Sequence, residues 1–278
     1  LSLVAQRMPW LESAAFTLLV PSGCARDPAD RLGLGNFVCE MVQRGCGSRD
    51  SRQFVEDLEL LGADTSASVS NAHTSFSGAM PAESLLPVLE IHADVVMRPH
   101  LPADQLDDSR SVCIQEIRAV EDDLAQRSMI ELRRRHYADP FGRSCHGTAD
   151  SVERIEADEV RQHWEANYQP EGAILSVAGR FDWAALAARV EECFASWESN
   201  SAPPILEQQG DGRYLHLPHE SSQTHIGVAY PSVPFSHKDY FQARGAVGVL
   251  SDGMSSRLFT EVREKRGLCY TVQASCHS

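Results

Sequence analysis

The stretch GLGNFVCEM at residues 33–41 decides the fold that the sequence predicts. Its apolar residues recur three and four positions apart, a spacing that predicts an amphipathic helix with one buried side. The buried side consists of Leu34, Phe37, Val38, Met41 and Val42. The opposite side carries Asn36, Glu40 and Gln43, and Gly45 is placed to end the helix.

The polar residues of this helix stand in the frame of the inverted zinc-peptidase motif HxxEH, but each chemically active residue is replaced. In that motif two histidines one turn apart hold zinc, and the glutamate takes a proton from zinc-bound water. Asn36, Cys39 and Glu40 occupy these three places. An amide is a poor zinc ligand and a thiol is a poor base for zinc-bound water, so we expect no catalytic residue among them.

Composition restricts the protein to a few broad classes. The chain has 278 residues, of which 42% are hydrophobic and 23% charged, and this fits a globular protein with a sizeable core. A net charge of −14 argues against nucleic-acid binding, since phosphate contacts need a basic face. The dense basic cluster at residues 133–136 is interpreted as a solvated helix surface. The sequence contains no run of ~18 apolar residues, so it predicts no membrane-spanning helix.

The eight cysteines are scattered along the chain without CxxC spacing. Such a pattern is typical of reduced thiols in an intracellular protein rather than of a disulfide framework. Residues 1–10 also lack the shape of a secretion signal. From the thiols alone, we expect a cytoplasmic location.

Hydrophobic periodicity predicts alternating strands and helices. A strand is expected at 15–21, followed by the helix of 34–42 and a second helix at 51–61. Residues 63–76 form a polar, extended stretch of the kind found at sheet edges. Further helices are expected at 82–97, 103–137, 158–168 and 183–195, and a further strand at 173–178.

The order of elements then restarts, which indicates an internal repeat. A strand at 224–231 and helices at 240–250 and 255–266 match the first three elements of the chain.

We therefore predict an α+β protein with two homologous halves, each a mixed or antiparallel sheet packed by helices on one face. The first half is expected at 1–200, a linker at 201–212, and the beginning of an incomplete second half at 213–278.

Several short motifs are distributed along the chain outside the first helix. They are SRSVCIQEI at 109–117, PFG at 140–142, HGT at 146–148, YQP at 168–170, VAG at 177–179, SRLF at 256–259 and REKRGLCY at 263–270. Together they resemble the pitrilysin, insulinase and mitochondrial processing peptidase family of zinc metallopeptidases. The resemblance implies a metallohydrolase-like fold of the processing-peptidase type, in which two homologous halves enclose a chamber.

The resemblance also assigns roles to single residues. The third zinc ligand of the family falls on Glu116, which is retained, whereas the two histidine ligands fall on Asn36 and Glu40 and the base on Cys39. We expect the site to hold no metal and the protein to need no cofactor. A mixed oxygen and sulfur site for another metal is the alternative. An ion pair of Glu40 with Arg44 and repulsion between the two carboxylates argue against it.

Two further groups of residues match substrate-binding positions of the family. Arg263 and Tyr270 correspond to an arginine that holds the substrate backbone and a tyrosine that donates to the developing oxyanion. Ser66, Ala67 and Ser68 lie in the polar stretch, where a peptide can add as a strand. The plain alternatives are a cation at a helix end, a strand residue, and an edge kept polar against aggregation.

These features predict a non-catalytic subunit that contributes chamber and substrate-holding residues to a homologous partner with an intact HxxEH. The other assembly that we consider is a homodimer. In both cases the expected substrate is a peptide. Two alternatives stay open. One is a metallopeptidase that works with a substituted site, and the other is a structural subunit similar to the core proteins of respiratory complexes in this family.

Overall fold

A computed structural model of the chain describes residues 1–199, 205 and 214–276. It divides into two compact units, Leu1–Gly227 and Val228–Ser278.

The first unit is built on one five-stranded sheet. Its strands are β1 (Ser2–Arg7), β2 (Ser13–Val20), β3 (Asp64–Val69), β4 (Thr74–Pro81) and β5 (Ile174–Gly179). The strand order is β1-β5-β2-β4-β3, and neighbouring strands are antiparallel except for the parallel pair β1 and β5.

Helices connect and cover these strands. They are α1 (Leu34–Met41), α2 (Ser51–Leu60), α3 (Leu85–Met97), α4 (Leu106–Asp122), α5 (Leu124–His136), α6 (Ala149–Glu153), α7 (Ala157–Asn167) and α8 (Trp183–Phe194). The helix α1 packs beside α4 and α7, and α3 packs beside α8. The predicted α+β class is confirmed.

The core lies on one face of the sheet. Alternate residues of β2, including Phe16 and Leu18, are buried, and Phe76 of β4 is buried beside them. Phe37 and Val38 of α1 have no exposed surface. Burial of a side chain of this size stabilises the fold by roughly 1.5–3 kcal/mol, so α1 is held in place mainly by its apolar side.

Most predicted elements of the first unit are confirmed, including α1 with its buried stripe. The polar stretch at 63–76 contains β3, which lies at the edge of the sheet as expected. The single long helix predicted at 103–137 is wrong, because the backbone of Asp123 leaves the helical conformation. Its Oδ1 accepts hydrogen bonds from the backbone nitrogens of Ala125 and Gln126 at 3.0 Å each. Asp123 thus ends α4 and caps α5.

The described residues of the second unit are mostly irregular chain and turns. It contains the predicted helix as α9 (Tyr240–Ser251) and a π-helical segment, Phe259–Glu264, inside the second predicted helix. The strand predicted at 224–231 is wrong: these residues form no regular secondary structure and pair with no strand of the described residues. A strand needs a neighbour for its N–H and C=O groups, and residues 214–276 contain no other strand.

The linker predicted at 201–212 lies outside the described residues except for Ile205, so the domain boundaries stay predictions. Across the described ranges, no helix has the length and apolar character needed to cross a membrane.

Candidate functional site

Helix α1 begins at a buried carboxylate. Asp27 accepts hydrogen bonds from the backbone nitrogens of Gly33 and Gly35, each at 2.8 Å. Burial raises the pKa of Asp27 to about 7, although the hydrogen bonds from Gly35 and Gly33 lower it. Gly33 has a φ of 91°, and a Cβ there would lie 2.6 Å from the backbone oxygen of His146. The start of α1 is therefore fixed by Asp27 and by the loop that carries His146.

Asn36 and Glu116 face each other from α1 and α4. Asn36 Nδ2 donates a hydrogen bond to Glu116 Oε2 at 2.8 Å and also lies 3.9 Å from Cys113 Sγ. The asparagine therefore presents its amide N–H group, rather than its oxygen, to the carboxylate.

His146 completes this cluster from the loop before α6. Its Nδ1 lies 3.6 Å from Glu116 Oε2. The interaction with Glu116 raises the pKa of His146, and the interactions with His146 and then Asn36 lower the pKa of Glu116. The Glu116 carboxylate is thus kept ionised by groups of its own chain.

Glu40 forms an ion pair with Arg44, four residues further along the chain. Its Oε1 accepts hydrogen bonds from Arg44 Nη2 at 2.7 Å and Nε at 3.1 Å. This is the ion pair expected from the sequence. The guanidinium therefore neutralises the carboxylate that stands at the second histidine position.

Cys39 of α1 is buried in the hydrophobic core and exposes 4% of its surface. Burial raises the pKa of Cys39 above its usual range, and the carboxylates of Glu40 and Glu116 raise it further. The thiol therefore stays protonated at neutral pH, and a protonated thiol is a weak base and a weak nucleophile.

Arg263 and Tyr270 lie close together in the second unit. The Arg263 guanidinium carbon is 4.5 Å from the ring centre of Phe259 and 5.8 Å from that of Tyr270. Tyr270 is 87% exposed.

The strand β3 contains Ser66, Ala67 and Ser68. It is the last strand of the sheet, at the edge opposite to β1, and it pairs on one side with β4.

Sequence comparisons place this geometry in a known family. Residues 3–149 match the family model "Insulinase (Peptidase family M16)", and residues 154–278 match "Peptidase M16 inactive domain". The chain belongs to peptidase family M16. The suspected resemblance is therefore confirmed.

Curated M16 relatives are named zinc proteases. One from Mycobacterium tuberculosis is 28% identical over 291 residues, which cover 99% of this chain and 64% of the relative. Another, YmxG of Bacillus subtilis, is 25% identical over 280 residues, 99% of this chain and 68% of that protein. The chain thus spans about two thirds of the length of these relatives.

Solved M16 structures share the fold. The peptidase M16 inactive domain from Pseudomonas fluorescens superposes with a TM-score of 0.79 at 21% identity, covering 96% of this chain and 66% of that one. Pitrilysin gives a TM-score of 0.67 at 16% identity, covering 76% of this chain and 23% of that one.

The residues at the M16 metal position do not fit zinc. Within the described part of the chain, no group of three or more His, Cys, Asp and Glu side chains is arranged to hold a metal ion. Asn36 directs a donor to Glu116, Glu40 is neutralised by Arg44, and Cys39 is a buried thiol. Zinc in proteins is bound by imidazole nitrogens, thiolates and carboxylates. Here one histidine position holds an amide, the other holds a carboxylate paired with Arg44, and Glu116 already accepts a hydrogen bond from Asn36.

His146 and Asp27 were not assigned a role from the sequence. His146 stands in the motif HGT, but its contact with Glu116 spans 30 positions and becomes visible only when α4 and the loop are folded. Asp27 had a local signal, since it precedes two glycines of the α1 stretch by 6 and 8 residues.

Proposed function

We propose that this chain is a non-catalytic member of peptidase family M16 that supplies chamber surface and substrate-holding residues to a homologous subunit with an intact HxxEH. The main support is the hydrogen bond from Asn36 to Glu116. It uses the retained carboxylate in a contact within the chain, at the place where an active relative needs it for metal. A homodimer, in which neither subunit has an intact HxxEH, is the alternative assembly.

The proposed ligand is an extended peptide that adds to the outer edge of β3. Since β3 is the last strand of the sheet, one edge of its backbone is not used by a neighbouring strand. Ser66 and Ser68 are exposed and small, so a second backbone can approach closely. Main-chain hydrogen bonds then bind peptides of many sequences.

Arg263 and Tyr270 are proposed to contact the substrate that the partner cleaves. Phe259 holds the Arg263 guanidinium against its ring, and Tyr270 keeps its hydroxyl in solvent. Both side chains can therefore donate hydrogen bonds to a peptide carbonyl or to the oxyanion that develops during cleavage.

The test is to purify the protein from its native source and ask whether a chain with an intact HxxEH accompanies it. In the reconstituted pair, Arg263→Ala and Tyr270→Ala should each reduce peptide cleavage by about tenfold or more. Arg266→Ala, which removes an exposed arginine of the same segment, is the matched control and should leave cleavage unchanged. Unchanged cleavage in all three variants would instead support a purely structural subunit.

A cytoplasmic location stays part of the proposal. The related PqqL of Escherichia coli, whose structure superposes with a TM-score of 0.65 at 20% identity over 73% of this chain and 24% of that one, is described as periplasmic. Fractionation of the source cells tests the location directly.

A further inference from the structure

Two cysteines far apart in the sequence meet beside the start of α1. Cys24 Sγ and Cys145 Sγ are 2.9 Å apart, although 121 positions separate them. Cys24 is fully buried in the short helical turn that follows β2, and Cys145 is partly exposed in the loop before α6. A disulfide bond is about 2.05 Å long, so the sulfurs need to approach by roughly 0.9 Å to form one.

The neighbouring side chains hold both sulfurs in place. Asn71 Nδ2 lies 3.7 Å from Cys24 Sγ and donates to the backbone oxygen of Phe141 at 2.7 Å. Arg143 Nη1 donates to the backbone oxygen of Asp27 at 2.6 Å. These contacts join the segment after β2 to the loop of Cys145, so the two thiols do not need a large backbone movement to react.

We propose that Cys24 and Cys145 are a modification site that forms a reversible disulfide with a low-molecular-weight disulfide as oxidant. The Cys145 thiolate attacks one sulfur of the oxidant and releases one thiolate. The Cys24 sulfur then attacks Cys145 Sγ, and its proton goes to the second thiolate of the oxidant, which leaves as a thiol. Two protein thiols are oxidised by two electrons, and the oxidant is reduced to two thiols.

The electrostatic surroundings agree with this order. The contact with Cys24 lowers the pKa of Cys145, and His146 and Arg133 lower it further. The same contact with Cys145 and burial raise the pKa of Cys24. The more exposed thiol is therefore the more acidic one, and it meets the oxidant first.

The bond would fix the loop against the chain that enters α1. Gly147 packs so closely on this chain that a Cβ would lie 2.1 Å from the backbone oxygen of Leu32. Between Cys145 and Gly147 stands His146, which faces Glu116. Oxidation thus stabilises the cluster that replaces the metal site, and it does so independently of any partner or substrate.

In the test, one sample of the full chain is treated with oxidised glutathione and a second sample with a thiol reductant. The peptides of both samples are then mapped under non-reducing conditions. In wild type, oxidation should remove two of the eight titratable thiols and yield a peptide crosslinked between Cys24 and Cys145. The melting temperature should rise by roughly 5–15 °C relative to the reduced protein. Cys193→Ser, a partly exposed cysteine of α8, is the matched control and should show the same crosslink and shift.

Cys145→Ser should show neither the crosslink nor the shift. The wild-type peptide map does not depend on the folding of any variant. A map in which Cys145 carries only glutathione, or in which Cys24 stays a free thiol after oxidation, would overturn the proposal.

Discussion

Replacement of Asp27 by alanine should destabilise the protein strongly, because one side chain satisfies two buried backbone groups at the start of α1. The carboxylate accepts from Gly33 and Gly35 at 2.8 Å each and is 4% exposed. A buried donor that loses its partner costs about 1–3 kcal/mol. Two such donors give a loss of roughly 2–6 kcal/mol.

Part of this loss is offset, since the folded protein no longer buries a charge. Burial raises the pKa of Asp27 to about 7, so the cost of burying the charge is largest above pH 7. The comparison is best made at about pH 5, where the folded carboxyl group is protonated and still accepts both hydrogen bonds. We therefore expect Asp27→Ala to lower the free energy of unfolding by about 2–4 kcal/mol, a large share of the ~5–15 kcal/mol typical of a domain.

Urea denaturation followed by circular dichroism measures this loss. Asp30→Ala is the matched control, because the Asp30 side chain is 78% exposed and its ion pair with Arg31 lies at the surface. Exposed pairs contribute about 0–1 kcal/mol, so the control should behave nearly as wild type. If Asp27→Ala is no less stable than Asp30→Ala, the anchoring of α1 by Asp27 is refuted.

Two further predictions concern titration and metal binding. Burial lowers the pKa of His92 to about 4. The unfolded state, in which the pKa of histidine is ~6.5, therefore takes up a proton at higher pH than the folded state does, and stability falls as the pH drops. Between pH 7 and 5, urea denaturation should show that wild type loses about 2 kcal/mol more than His92→Phe, and equal losses would contradict a neutral buried ring. Replacing Asn36 and Glu40 by histidine should create a zinc site with Glu116, and calorimetry measures the binding of zinc. Adding Glu116→Ala to this variant should weaken zinc binding at least ~10–100-fold, because removal of a residue that only hydrogen-bonds to a zinc ligand already causes a loss of this size. A double-histidine variant that binds no zinc would show that α1 and α4 are not placed as in active relatives.

The local elements were predictable from the sequence because their signals lie within a few residues. The apolar spacing of Phe37 and Val38 predicted the buried side of α1, and the polarity of Ser66 and Ser68 predicted the edge strand β3. The break between α4 and α5 was missed because helical spacing continues through it, whereas Asp123 caps the second helix through its own side chain.

The contacts of the candidate site were harder to predict because they join distant parts of the chain. The pair Glu40 and Arg44 was accessible, since four positions place both on one helix face. The contact of Asn36 with Glu116 spans 80 positions. Sequence showed which residue types stand at the metal position but not that an asparagine N–H group already binds the retained carboxylate.

The zinc content of the purified full chain tests the central claim most directly. The protein is dialysed against zinc, washed, and analysed for metal by mass spectrometry, and the same sample is assayed for peptide cleavage with and without a chelator. We predict no stoichiometric zinc and no chelator-sensitive cleavage by the chain alone. One zinc per chain, lost together with cleavage when Glu116 is replaced by alanine, would contradict it.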